Sequence, residues 1–178
     1  MNELTKAADP LEILTKAIEM ELEGKEFFGR VAEQMADQRT KDTFNGLVKQ
    51  EQRHVEILSA EFERLSQGKS WASMSQLKGQ KNMFQVPSVF KDRQIRRIKL
   101  GPDAGELEAL KLGIEVEKKS IEYYTQAGSS VEDPKAKEIF RWLVGEEGGH
   151  LTILSAEYDY RLKSGFYYDT PEFSLEVE

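Results

Sequence analysis

The chain has no cysteine and only two histidines among its 178 residues. Without cysteine there can be no disulfide, no thiolate metal site and no cysteine nucleophile, and a reducing, cytoplasmic setting is expected. No uncharged apolar run approaches the roughly 18 residues of a membrane helix. The opening residues, MNELTKAADP, contain no apolar segment of the secretory kind. A basic surplus is also missing. Thirty-two acidic side chains against 25 basic ones leave a net charge of −7, a poor basis for holding nucleic acid.

What remains is a chain of ordinary apolar content, 39%, with 32% charged residues, long enough for one domain (1–178) with a real core. It is written twice. Shifted by 96 positions, Leu14–Leu65 lies over Leu110–Arg161 without a gap, with 17 of 52 pairs identical. The identities include Ile18/Ile114, Glu19/Glu115, Glu21/Glu117, Phe44/Phe140, Glu51/Glu147, His54/His150 and the run ILSAE at 57–61 and 153–157. The shift superimposes the two histidines. A shared core explains repeated leucines but not repeated charges at core positions.

Each copy reads as two helices. Asp9-Pro10 opens the first, with Glu12 in its first turn, and it runs to about 36. The second runs from about 40 to 66 and stops near Gly68. Asp103 and Glu106 open the third, which stops around Gly128; Asp133-Pro134 opens the fourth, which ends at Gly165. Short turns inside each copy make antiparallel hairpins, 10–66 and 103–164, and the stretch 67–102 is long enough to return the chain along a bundle. The expectation is an all-α, ferritin-like four-helix bundle with one long crossover and a C-terminal tail, 165–178.

Every apolar stripe carries a glutamate near its middle. The first holds Leu14, Ile18, Glu21, Lys25 and Phe28; the second Phe44, Leu47, Glu51, His54 and Leu58. The third holds Leu110, Ile114, Glu117, Ile121 and Tyr124; the fourth Phe140, Leu143, Glu147, His150 and Leu154. Buried carboxylates without partners cost several kcal/mol and repel one another. The stripes offer only Lys25 as a cation, whereas two divalent ions neutralise four carboxylates. A set rich in oxygen with two imidazoles suits iron or manganese, with zinc as a substitute. One glutamate from each of two helices, plus Glu-x-x-His from the other two, is the pattern that carboxylate bundles use. Glu21, Glu51, His54, Glu117, Glu147 and His150 are the candidate ligands. Glu19, Glu23, Glu115 and Glu146 fall off the stripes and are expected to face solvent. Glu26/Glu122 and Glu61/Glu157 are either solvated or acceptors that orient the histidines. Tyr124, two turns beyond Glu117, can bond a ligand or give an electron and is the candidate catalytic residue; its counterpart Phe28 can do neither. Gly145, Gly148 and Gly149, inside the fourth helix, suggest close helix approach or a local distortion.

The segments AIEMELEG..FF at 17–28, KQEQRH at 49–54, GIEVEKKSIEYY at 113–124 and GEEGGH at 145–150 resemble the rubrerythrin-like branch of the ferritin-like superfamily. The resemblance implies two iron ions that react with peroxide or dioxygen. It makes Glu21 and Glu117 terminal ligands, Glu51 and Glu147 bridges, and His54 and His150 one ligand to each ion. The chain departs from that pattern in two ways. It has no four-cysteine rubredoxin module, and Gly24 and Ser120 stand where an additional glutamate is expected.

The implied function is a di-iron oxidoreductase in oxidative-stress defence, served by an external electron-donor protein. The alternatives are iron storage or delivery with ferroxidase activity, and a metal-stabilised bundle without catalysis. Residues 66–103 hold eight basic and two acidic side chains, either a solvated loop or a docking patch for an acidic donor. The aromatic, acidic tail is expected to pack on the bundle or on a second subunit of a homodimer.

Overall fold

The computed structural model describes residues 9–79, 86, 87, 90, 98 and 105–162, together with the backbone of two short strands in the tail. Four long helices dominate: α1 (Pro10–Gln34), α2 (Gln38–Ser66), α4 (Glu106–Ser130) and α5 (Pro134–Leu162). A short helix, α3 (Met74–Gly79), follows α2. In the tail β1 (Phe166–Tyr167) pairs antiparallel with β2 (Thr170–Pro171), Phe166 opposite Pro171. The all-α bundle is as the sequence predicts; the strand pair and α3 are additions to it. The tail's side chains and most of the basic crossover lie outside the described residues.

Local chemistry sets the helix ends. Asp9 accepts from the Leu11 amide at 2.9 Å, with Pro10 at the first helical position. Asp37 accepts from the Thr40 amide at 2.9 Å, so α2 begins before the expected position 40. Its repeat counterpart Asp133 accepts from the Lys135 amide at 2.8 Å. Gly68, at φ 74°, turns the chain out of α2. The third long helix starts later than predicted, after Gly105, which offers no side-chain cap; Asp103 lies outside the described residues.

α1 packs along α2, and α4 along α5. The apolar core falls into two clusters. One gathers Leu14, Ile18, Leu58, Tyr124, Phe140 and Leu143. The other gathers Phe27, Phe28, Phe44, Leu47, Leu110 and Leu154. Each fully buried Leu or Phe contributes about 1.5–3 kcal/mol. Two described residues beyond α3 meet the bundle at these ends. Phe90 meets Phe62 edge to face beside the first cluster, and the Ile98 carbonyl accepts from Arg30 Nη2 at 2.7 Å beside the second. Gly113 permits close packing in the second cluster: a Cβ there would lie 3.2 Å from Leu154 Cδ1 and 3.4 Å from Phe28 Cε1. Among the described residues, no helix is long and apolar enough to cross a membrane.

Candidate metal centre

Between the two apolar clusters lies a polar belt. Glu21 from α1, Glu51 and His54 from α2, Glu117 from α4, and Glu147 and His150 from α5 are all buried. Each sits one helical turn or so from an apolar neighbour on its own stripe, so the helices that bury the leucines must bury these six as well. All six sequence-predicted residues therefore meet at one place.

They form two sets. Glu21, Glu51, His54 and Glu147 bring ligand atoms within 4.8 Å of one another, and so do Glu51, Glu117, Glu147 and His150. Glu51 and Glu147 belong to both. His54 Nδ1 lies 3.2 Å from Glu21 Oε2 and 3.1 Å from Glu147 Oε1. His150 Nδ1 lies 2.8 Å from Glu147 Oε2 and 3.2 Å from Glu51 Oε1. The imidazoles stack with centroids 5.5 Å apart. Despite these approaches, both Glu147 oxygens, Glu117 Oε1 and both His150 nitrogens make no hydrogen bond. Buried polar atoms that converge without bonding one another are costly unless an ion satisfies them. Among the described residues, no lysine or arginine pairs with these glutamates; Lys25 donates instead to Gln52 Oε1 at 2.6 Å. The donor set of four carboxylates and two imidazoles fits a pair of divalent iron or manganese ions.

Protonation follows the geometry. Burial, reinforced by the charges of Glu51 and Glu147, raises the Glu21 carboxyl well above the usual range, and burial does the same to Glu117. Burial opposes the charge on Glu51, but the adjacent Glu21 acid and the two histidines outweigh it and hold that carboxylate low. Burial opposes the charge on Glu147 too, but the adjacent His150 and His54 rings outweigh it and hold that carboxylate low. Burial disfavours the imidazolium forms, yet the surrounding carboxylates raise His54 and push His150 up to about 12. In the metal-free belt these shifts favour protons on Glu21, Glu117 and the two histidines and charge on Glu51 and Glu147. A metal ion binding these imidazoles would displace their protons.

Tyr124 is fully buried, and its hydroxyl donates to Glu21 Oε1. Burial and the neighbouring carboxylates keep the phenol protonated by pushing it well above its usual range. The packing decides three other sequence expectations. Glu61 and Glu157 are buried but do not touch the histidines. Glu61 Oε1 accepts from the Ala72 amide at 2.9 Å, and Glu157 Oε1 accepts from Thr40 Oγ1 at 3.1 Å and Arg161 Nε at 3.1 Å. They fasten the bundle's ends, because each lies two turns past its histidine. Glu26 faces Arg30 and Glu122 bonds Gln126, both away from the belt. Gly145, Gly148 and Gly149 would meet nothing within 4 Å if given a Cβ, and α5 runs through them unbroken. They serve neither close approach nor a kink.

Sequence reasoning missed two neighbours of His54. Glu146, 39% exposed, places Oε2 3.9 Å from His54 Nε2 rather than turning fully to solvent. Trp142 stands edge-on to the same ring. The repeat carried the signal for both, since Gly46 and Gln50 occupy the equivalent positions. Gly24 is buried, and a Cβ there would meet Glu51 Cδ at 3.7 Å. The position where an additional glutamate is expected thus faces the belt, with no carboxylate on it.

The fold is similar to a hypothetical protein from Pyrococcus furiosus, at 20% identity, TM-score 0.62, covering 88% of this chain and 92% of that one. It is also similar to a two-domain protein from Anabaena variabilis that contains DJ-1/ThiJ/PfpI-like and ferritin-like domains, at 17% identity and TM-score 0.65, covering 96% of this chain and 42% of that one. An uncharacterized conserved protein from Magnetospirillum magnetotacticum aligns at 20% identity and TM-score 0.54, covering 94% of this chain and 99% of that one. A search among curated proteins finds no match. The Rubrerythrin family model matches residues 12–158, a span that covers all but the outer ends of the two hairpins and contains the whole carboxylate–histidine belt; the chain belongs to the rubrerythrin family.

Proposed function

We propose that the protein is a di-iron oxidoreductase that couples oxidation of ferrous iron at a paired site to reduction of hydrogen peroxide or dioxygen. The observation that carries this reading is the pair of four-residue ligand sets sharing Glu51 and Glu147. When bound, an iron pair would supply reversible one-electron chemistry.

The residues supply the rest. Glu21 and His54 would hold one ion, Glu117 and His150 the other, with Glu51 and Glu147 between them. Carboxylates suit this role because they can shift between one and two ions as charge changes. The Tyr124 hydroxyl fixes Glu21 Oε1 and leaves Oε2 towards His54. The apolar clusters on either side exclude water, so charge must be balanced within the belt. Protons can do this: Glu21, Glu117, His54 and His150 are all shifted towards holding them in the metal-free protein and would release them as ligands.

The test is anaerobic loading with ferrous iron, followed by steady-state turnover of peroxide or dioxygen with a reductant. Sustained turnover with two irons per chain is expected. Accumulation of many irons per chain without turnover would favour storage instead.

A further inference from the structure

We propose that Trp142 is the port through which electrons enter the metal pair, from a negatively charged one-electron donor that docks over Lys78; this rests on the di-iron reading above. The Trp142 and His54 rings meet edge to face, with centroids 5.3 Å apart and planes at 90°. On the other side, Lys78 Nζ sits 4.9 Å from the indole centroid. Lys78 is exposed, Trp142 is half-buried and His54 is 1% exposed. Lys78, Trp142 and His54 therefore form a continuous line of contacts from solvent to the nitrogen that faces Glu21, Glu51 and Glu147.

The repeat supplies an internal comparison. A core role common to both halves would place a large side chain at both equivalent positions. The counterpart of Trp142 is Gly46, where an added Cβ would meet nothing within 4 Å. The Tyr124/Phe28 asymmetry falls on the same half, because Tyr124 bonds Glu21. One of the two ligand sets thus has a polarisable ring leading outward and a phenol on its terminal carboxylate.

The charge over the ring gives the direction. A cation at the indole face makes oxidation of the ring harder, so Trp142 is not itself consumed, and the same charge attracts an anionic donor to this end. Arg53 Nη2 donates to the Lys78 carbonyl at 3.2 Å and fixes the end of α3, while Arg53 itself pairs with Glu56 at 3.5 Å. Lys78 is left as the charge over the port, within a segment, 66–103, of eight basic and two acidic residues. In each encounter the donor loses one electron and one ferric ion becomes ferrous; a second donor molecule supplies the second electron.

The experiment uses oxidised, iron-loaded protein mixed with dithionite, whose radical anion is the probe. In wild type the reduction rate should fall about tenfold or more as salt is raised, as for steered encounter. Trp142→Leu should slow reduction several-fold at unchanged iron content, with Trp142→Phe intermediate. Lys78→Glu should slow it and remove the salt dependence. A second readout is emission from Trp142 alone, in a Trp71→Phe background. It should be strong in the zinc-loaded protein and quenched several-fold with oxidised iron. Wild-type rates in Trp142→Leu, or emission equal with zinc and iron, would overturn the port while leaving the di-iron reading standing. A wild-type chain that takes up no metal would overturn both.

Discussion

The hydroxyl of Tyr124 on α4 donates to Oε1 of Glu21 on α1, so the phenol that one repeat carries and the other lacks is bonded to a belt carboxylate. Phe28, its counterpart, is buried with no polar atom to offer. The duplicated belt is symmetric in its six ionisable residues and asymmetric in what surrounds them.

Tyr124→Phe removes that bond and keeps the ring, as Phe28 already does in the other half. The metal-free protein should lose about 1–2 kcal/mol of stability, the cost of leaving a buried carboxyl one partner short. Urea unfolding of the metal-free variant measures this. Unchanged stability would mean that Glu21 does not depend on the phenol.

Stability of the metal-free protein should fall as pH rises. His54 and His150 are raised in the folded state, so their contribution is complete below the unfolded value near 6.5 and is lost above it, for His150 up to about 12. Glu21 and Glu117 are also raised, so the folded state keeps protons that the unfolded chain releases above 4.5. The folded form binds more protons in both cases, and each retained proton costs about 1.4 kcal/mol per pH unit. Glu51 and Glu147 are lowered, so their contribution is present above 4.5 and lost only in acid. Melting without metal at about pH 5.5 and about pH 8.5 should show the drop, and added metal should narrow it. A melting temperature that rises over this range without metal would contradict the protonation scheme.

Gly145→Ala and Gly149→Ala should each stabilise the protein by roughly 0.5–1 kcal/mol, since both lie inside α5 with open space at the Cβ. Gly113→Ala should destabilise it, because its Cβ would press on Leu154 and Phe28. Thermal melts of the three variants decide the matter; the same sign for all three would contradict the packing described.

Much of this was legible in the sequence because burying charge is costly. A glutamate on an apolar stripe has few physical explanations, and four of them, repeated with both histidines, left one. What escaped was whatever depends on which helix faces which. Glu61 and Glu157 repeat as faithfully as the ligands, yet they reach Ala72 and Thr40, partners that only the packed bundle brings near. The early start of α2 was readable, because Asp37 and Asp133 repeat and both cap. Trp142 was hidden because an indole near an apolar stripe looks like core until its neighbour His54 is placed.

The most direct test of the metal centre is anaerobic titration with ferrous iron, followed by melting, on wild type and on Glu21→Gln/Glu117→Gln. Burial pushes both carboxyls towards the neutral acid in the metal-free protein, and glutamine matches that form in shape and charge. The double variant should therefore be at least as stable as wild type without metal. Wild type should bind two irons per chain and gain stability, about 2.7 kcal/mol at a hundredfold excess over the dissociation constant. The double variant should gain little. Saturation of wild type below two irons, or a double variant that is destabilised without metal and binds iron as wild type does, would contradict the account.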